Sequence, residues 1–219
     1  SVSKEEFTLY HDESIDLVST FPQPKEDQLA TYYESEDYIS HTDGSRSLFE
    51  KAYQFVKQIA LKNKLKCINE LHQAKGILLD IGAGTGDFLA VANQNGWQTI
   101  GIEPNDKAKK IAQSKGVELI EATNSLDDHS IDVITMWHVL EHVPNVENQI
   151  KELRRLLKPN GSIIIAVPNF NAYDAKYYDS YWAAFDVPRH LWHFSRKAIK
   201  SLFERENFHL EKTLPMLFD

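Results

Sequence analysis

The residues best suited to chemistry begin at a glycine-rich turn near residue 80. The segment Leu79-Asp80-Ile81-Gly82-Ala83-Gly84-Thr85-Gly86 joins an apolar run to a helical pattern. Glycines in such a turn let the chain reverse tightly and let a ligand lie against bare backbone. Glu103 ends the next apolar run, 21 residues after Gly82, where a ribose-binding acid lies in nucleotide-binding βαβ units. The two segments together predict a ligand site.

The carboxylates favour a cationic ligand over a pyrophosphate. The glycines have the spacing Gly-x-Gly-x-Gly, whereas dinucleotide sites need Gly-x-Gly-x-x-Gly. Asp87, near the helix start, would repel a pyrophosphate, and Asp80 suits an ammonium group. Glu103 can accept hydrogen bonds from two vicinal hydroxyls. A ligand with a ribose, an ammonium group and no phosphate is S-adenosylmethionine; a nicotinamide-dependent oxidoreductase is the alternative that this spacing disfavours.

A second group of reactive side chains follows the fourth predicted strand. If the chain turns helical there, His138, Glu141 and His142 share one face at i, i+3 and i+4, and His190 and His193 form another short cluster. Three interpretations are open. In the first, His142 or His190 is a general base and Glu141 orients an imidazole. In the second, Glu141, His142 and either His190 or His193 bind a divalent metal. In the third, Glu141 and His142 only brace the turn.

The elements that must position these groups alternate between strand and helix, as in βαβ units around a parallel sheet. Strands are predicted at about 77–82, 98–103, 117–121, 131–137, 162–167 and 208–214. Helices are predicted from Ser45 and at about 86–95, 105–115, 145–158 and 195–207. The predicted fold class is α/β: a Rossmann-like, doubly wound, mostly parallel sheet with an N-terminal helical cap and a lid after the fifth strand.

Residues 76–167 resemble the class I S-adenosylmethionine-dependent methyltransferases, and within them the ubiquinone-biosynthesis O-methyltransferase group. The motifs that carry the resemblance are the loop 80–86, Glu103, the strand and turn Ile131-Asp132-Val133-Ile134 to His138-Val139-Leu140-Glu141-His142-Val143, and Leu156-Leu157-Lys158-Pro159-Asn160-Gly161. They occur in the family's order and spacing, which is more specific than the glycine loop alone.

The resemblance implies a set of cofactor contacts. The methionine end of S-adenosylmethionine would be held by Asp80, Gly82, Ala83, Gly84 and Gly86. The ribose would lie at Glu103 and Pro104, and the adenine near Ala122. The remaining predicted contacts are Trp137, His138 and the N-terminal Tyr38, which would close over the cofactor. S-adenosylhomocysteine would be the product.

The resemblance also bears on the reacting groups. Residues 138–142 are similar to the Glu-x-x-Glu-His motif of metal-dependent small-RNA 2′-O-methyltransferases, but His138 replaces the first Glu. That replacement argues against a metal, so no metal ligand is assigned, and the predicted catalytic residues are His142, Glu141 and His190. The predicted reaction is O-methylation of a small aromatic, lipidic or metabolite acceptor. A cofactor-binding protein without turnover is the alternative from another class.

The chain is predicted to divide at residue 75 into an N-terminal cap segment with its helix, 1–75, and the methyltransferase domain, 76–219. An aromatic lid is predicted at about 168–194, because nine of the chain's 24 aromatic residues lie between Phe170 and Phe194. Ser1 in place of Met, and an end only a few residues after Leu214, predict a fragment truncated at both ends.

Composition limits the partners and the location. The net charge of −8 argues against a nucleic-acid partner and suits a small molecule. A single cysteine, Cys67, is typical of a reducing, cytoplasmic setting. The longest apolar stretch, 163–167, is far shorter than the roughly 20 residues of a membrane span.

Overall fold

A computed structural model describes residues 5–25, Tyr32 and 48–216, with the side chains of 48–52 excluded. The predicted cofactor contact Tyr38 and the predicted helix start at Ser45 lie outside these residues. The described residues form two compact units, one with 48–137, 151–166 and 214–216, the other with 5–25, 32, 138–150 and 167–213. The predicted division at residue 75 stays a prediction.

The first unit contains a parallel sheet. Its four strands are β3 (Ile77–Ile81), β4 (Gln98–Ile102), β5 (Ile131–Trp137) and β6 (Leu157–Ala166). They lie in the order β4-β3-β5-β6, and all pairs are parallel. Leu119 adds a parallel bridge to Gly101 on the outer side of β4, so the strand predicted at 117–121 is reduced to one bridge. The predicted doubly wound, mostly parallel sheet is confirmed.

Helices flank the strands in the predicted alternation. They are α1 (Leu48–Leu71), α2 (Asp87–Gln94), α3 (Asp106–Ser114) and α4 (Val146–Leu156). The side chain of Asn105 caps α3 by accepting hydrogen bonds from the backbone N–H groups of Lys107 and Ala108, which satisfies two of the free donors at a helix start.

Apolar side chains hold the helices of this unit against its sheet. Leu61 and Ile68 of α1, Leu89 of α2, and Leu78 and Val133 of the strands belong to one buried cluster. Strands covered in this way are apolar on consecutive positions, which is the pattern that made them recognisable in the sequence. The sheet therefore holds the carboxyl ends of β3 and β4, with Asp80 and Glu103, on a rigid support.

The second unit contains an antiparallel sheet that the sequence did not predict. Its strands are β1 (Thr8–Asp12), β2 (Leu17–Phe21) and β7 (Trp192–Phe194), in the order β1-β2-β7. Short helices α5 (Tyr173–Tyr178) and α6 (Arg196–Glu204) follow in the same unit. The pairing of β2 with β7 was missed because these strands lie about 175 residues apart, and no local pattern predicts such a pairing.

The strand expected at 208–214 is wrong. These residues, all described, form neither helix nor strand. Leu210 and Leu214 are 50% and 53% exposed, so these side chains are not buried against a sheet of the described residues. Within the described residues, every helix is too short or too polar to cross a bilayer.

Candidate functional site

The glycine loop is tied to the end of β4. The N–H groups of Gly82 and Ala83 both donate to the carbonyl of Ile102, at 2.8 and 2.9 Å. The N–H of Gly84 donates to Oε2 of Glu103 at 2.8 Å. Gly84 has φ +54°, and a Cβ built on it meets no atom within 4 Å. At Gly84 the loop therefore presents bare backbone to open space, as a ligand-binding turn requires.

Glu103 is a buried carboxylate held by backbone donors on both oxygens. It is 9% exposed; Oε2 accepts from Gly84 and Oε1 accepts from the N–H of Asn105 at 2.8 Å. Each carboxylate oxygen has a second lone pair, so Glu103 can still accept from two vicinal hydroxyls. It fixes the loop and offers a hydroxyl site at the same time.

Asp80, at the carboxyl end of β3, is 2% exposed. Its Oδ1 accepts a hydrogen bond from the Thr135 hydroxyl at 2.5 Å. Burial raises the pKa of Asp80 to about 7, and the charge of Glu103 adds to the rise, whereas the Thr135 hydrogen bond and the positive charge of Lys64 oppose it. A cation bound beside this carboxylate would favour its ionised form.

We expect S-adenosylhomocysteine affinity to rise with pH through the pKa of Asp80. The ligand's ammonium binds the ionised carboxylate, so affinity should rise about tenfold between about pH 6 and about pH 8. Calorimetry across this range measures it. Asp80→Asn, which keeps a partner for Thr135, should flatten the profile, and an equally steep profile in that variant would contradict the assignment.

The same group gives a stability prediction with a definite sign. A native pKa of about 7 against an ordinary value of 3.8 means that the native state binds more protons than the unfolded state between these values. The unfolding free energy of the ligand-free protein should therefore fall as pH rises through this window. Denaturant unfolding of the wild type and Asp80→Asn measures the difference.

Asp87 is compensated by two lysines. Its Oδ2 lies 3.0 Å from Nζ of Lys57 and its Oδ1 lies 2.9 Å from Nζ of Lys115, and the Thr85 hydroxyl also donates to it. Burial would raise the pKa of Asp87, but these hydrogen bonds outweigh burial and lower it. Asp87 therefore repels an anion less than its sequence position suggested, and the case against a pyrophosphate depends on the glycine spacing.

The other predicted cofactor residues differ in setting. Trp137 ends β5, contacts Phe88 edge to face at 5.7 Å between ring centroids, and has a buried indole N–H with no acceptor among the described residues. Pro104 and Ala122 are exposed. A bound ligand is one explanation of an unpaired buried donor. The chemistry of S-adenosylmethionine fits this set of groups: open backbone at Gly84, the carboxylates of Asp80 and Glu103, and the indole N–H of Trp137.

Gly84→Ala should weaken S-adenosylhomocysteine binding about tenfold. The methyl group would occupy the open space above the loop, and a left-handed φ costs a non-glycine residue about 1–2 kcal/mol. Gly116→Ala is the matched control, since Gly116 also has positive φ (+76°) and open space around it but lies outside the loop. Equal losses in both variants would mean that backbone strain alone is responsible.

In the second unit, Glu141, His142 and His190 come together, each offering an atom within 4.8 Å of the others. Nδ1 of His142 lies 3.0 Å from the carbonyl oxygen of Arg189, and Nδ1 of His190 lies 2.8 Å from that of Ala184. Because a carbonyl only accepts, each Nδ1 carries the proton. Nε2 is therefore the nitrogen with the lone pair when such a ring is neutral. The ring centroids are 4.6 Å apart.

His193 has a different role. The Thr20 hydroxyl donates its single proton to the carbonyl of His190 at 2.7 Å, so Nε2 of His193, 2.9 Å away, must donate to that hydroxyl. Burial lowers the pKa of His193 to about 4, and burial and the charge of His190 lower that of His142. His193 is therefore a neutral side chain that holds Thr20 in place. His190, and not His193, lies with Glu141 and His142.

Glu141 is fully buried, and neither carboxylate oxygen has a hydrogen-bond partner among the described residues. Nδ1 of His138 lies 3.4 Å from Oε1. His138 has φ +55° and precedes the short 3₁₀ turn Leu140–His142, so the single helical face expected from 138 to 142 is not formed. A buried carboxylate without hydrogen bonds is energetically unfavourable, which indicates a role beyond bracing.

Sequence reasoning missed two contributors. Thr20 lies on the unpredicted hairpin and carries no local signal. Lys64 of α1 places its Nζ 4.7 Å from the centroid of the Trp137 ring, but nothing in its spacing distinguishes it from the other lysines of that helix.

Comparison with known proteins gives consistent matches. The sequence model of a family described as "Methyltransferase domain" matches residues 48–213. A ubiquinone biosynthesis O-methyltransferase of Nitrosospira multiformis is 31% identical over 104 residues, 43% of this chain and 44% of that protein. The Vibrio cholerae protein of the same name is 30% identical over 50% of each chain. This chain thus matches about half the length of these relatives.

Solved structures share the fold. The magnesium protoporphyrin IX methyltransferase of Synechocystis, with bound S-adenosylhomocysteine, has a TM-score of 0.65 at 14% identity, covering 86% of this chain and 91% of that one. A Thermotoga maritima S-adenosylmethionine-dependent methyltransferase has a TM-score of 0.57 at 23% identity, covering 73% and 76%.

Proposed function

This chain belongs to the methyltransferase-domain family, and we propose that it transfers a methyl group from S-adenosylmethionine to an oxygen of a small aromatic, lipidic or metabolite acceptor. The predicted resemblance to class I methyltransferases is thereby confirmed. The observation that carries the proposal is the glycine loop between the buried carboxylates of Asp80 and Glu103. The N–H of Gly84 in this loop donates a hydrogen bond of 2.8 Å to Glu103.

Each group of the cofactor site binds one part of the ligand. Asp80 binds the ammonium, the backbone from Gly82 to Gly86 lies against the methionine chain, and Glu103 accepts from the ribose hydroxyls. Bound S-adenosylmethionine supplies an electrophilic methyl group. Because the transfer is an in-line displacement, most of the work of the protein is to hold the reacting groups in position.

His142 acts as the general base for the acceptor hydroxyl. Its Nε2 lone pair accepts the proton of the acceptor hydroxyl, while the Arg189 carbonyl holds the opposite nitrogen. The resulting imidazolium is stabilised by the buried carboxylate of Glu141, and His190 orients the acceptor. A base of this kind is needed for a hydroxyl acceptor, which favours oxygen over carbon, and the relatives named O-methyltransferases support the same choice.

A screen of acceptors with methyl-labelled S-adenosylmethionine tests the proposal. We expect label in phenols, hydroxy acids or lipidic alcohols, and none in RNA, in keeping with the net charge of −8. Saturable cofactor binding without transfer to any acceptor would instead favour the binding protein without turnover. NADH binding without S-adenosylhomocysteine binding would favour the oxidoreductase.

A further inference from the structure

Lys64 places a positive charge beside the proposed methionine site. The side chain is half-buried on α1, and its Nζ lies 4.7 Å from the centroid of the Trp137 ring. A cation at this distance is attracted by the face of the indole. Its charge also acts on Asp80, whose pKa it lowers. Lys64 is therefore held near the carboxyl ends of β3 and β5 by an aromatic ring.

The methionine end of the cofactor carries two opposite charges, an ammonium and a carboxylate. Asp80 would bind the ammonium and Glu103 the ribose hydroxyls. The glycine loop contains no cationic side chain that could bind the carboxylate. A carboxylate bound in a partly buried site requires a cationic or N–H partner. The buried N–H of Trp137 has no acceptor among the described residues, and Lys64 lies over the same ring.

Two other cations of this unit lie against Asp87. Lys57 and Lys115 lie 3.0 and 2.9 Å from the two oxygens of Asp87. Lys62 and Lys66 of α1 are exposed, and Lys66 faces Glu70 at 3.7 Å. Lys64 thus differs from its helical neighbours by lying against Trp137 and acting on Asp80.

We propose that Lys64, held over the Trp137 ring, binds the α-carboxylate of the cofactor's methionine end, with the indole N–H of Trp137 as a second donor. Lys64 and Asp80 then form a charge pair matched to the zwitterionic end of the ligand. The assignment rests on the proposed function, because it deepens the same cofactor site.

Calorimetry with two ligands tests it. One ligand is S-adenosylhomocysteine and the other is its decarboxylated analogue, S-adenosyl-3-thiopropylamine, which keeps the ammonium and the nucleoside. In Lys64→Met, S-adenosylhomocysteine should bind about tenfold to a hundredfold more weakly, the usual effect of losing a charged hydrogen bond. The analogue should bind as it does to the wild type. Lys64→Arg should retain affinity, and Lys62→Met is the matched control. Trp137→Phe should show a smaller loss, again confined to S-adenosylhomocysteine.

The outcomes separate this assignment from its premise. Equal weakening of both ligands in Lys64→Met would mean a general effect on the pocket, and unchanged binding would mean no contact; either result overturns the role of Lys64. Thermal unfolding of each variant checks that it is folded. Failure of the wild type to bind either ligand would overturn the proposed function itself, whereas wild-type binding with no preference for the carboxylate would overturn only the Lys64 assignment.

Discussion

Glu103→Ala should weaken S-adenosylhomocysteine binding by at least about a hundredfold. The carboxylate is expected to accept two ribose hydroxyls, and hydrogen bonds to a charged group contribute about 1.5–3 kcal/mol each. The substitution also removes the acceptor of the Gly84 N–H at 2.8 Å, so the loop loses its tie to the end of β4. Calorimetry of the variant beside Glu70→Ala, a change of an exposed acid on α1, measures the loss.

A second ligand separates the two roles of Glu103. The 2′-deoxyribose analogue of S-adenosylhomocysteine lacks one of the hydroxyls. The wild type should bind it more weakly than the parent, and Glu103→Ala should bind both alike. If the variant still prefers the parent, Glu103 acts through the loop only and the ribose contact is wrong. Glu103→Gln should lie between, because one amide oxygen cannot serve both Gly84 and Asn105.

His142→Ala should lower kcat about a hundredfold to ten-thousandfold, the range expected for a general base, while S-adenosylhomocysteine affinity stays within about twofold. The reason is the orientation of the ring. Nδ1 donates a hydrogen bond to the Arg189 carbonyl, so the lone pair that can accept the proton of an acceptor hydroxyl is on Nε2. Single-turnover rates with the best acceptor from the screen measure the effect.

Two controls accompany this prediction. His209→Ala changes a histidine outside all helices and strands and should leave kcat unaltered. A chelator should leave wild-type turnover unchanged if His142 acts as a base. Loss of turnover with chelator, restored by a transition metal such as Zn²⁺ or Fe²⁺, would mean that Glu141, His142 and His190 act through a divalent cation, which two imidazoles and a carboxylate can bind. An unaltered kcat in His142→Ala would remove His142 from the chemistry.

The sequence predicts the parallel sheet well because its signals are local. β3, β4 and β5 begin where predicted and end within one residue of the prediction, since buried parallel strands are apolar on consecutive positions. The pairing of β2 with β7 was missed because it joins strands about 175 residues apart. At 208–214 a strand was predicted where none forms. A strand-like pattern of residues does not show whether a neighbouring strand is there to pair with.

In the candidate site, too, the features with local signals were predictable and those that depend on distant contacts were not. The loop and Glu103 were predictable from residue types and spacing, and the hydrogen bond from Gly84 to Glu103 gives that spacing a physical basis. For the metal alternative the sequence left His190 and His193 open, because the role of His193 depends on the Thr20 hydroxyl from the unpredicted hairpin. It also overrated the repulsion from Asp87, whose lysine partners lie 30 and 28 residues away.

Calorimetric titration of the wild-type protein with S-adenosylhomocysteine tests the central claim most directly. The account predicts one saturable site with a Kd well below about 1 mM, and no saturable binding of NADH under the same conditions. Absence of binding at millimolar S-adenosylhomocysteine by a folded protein would contradict it.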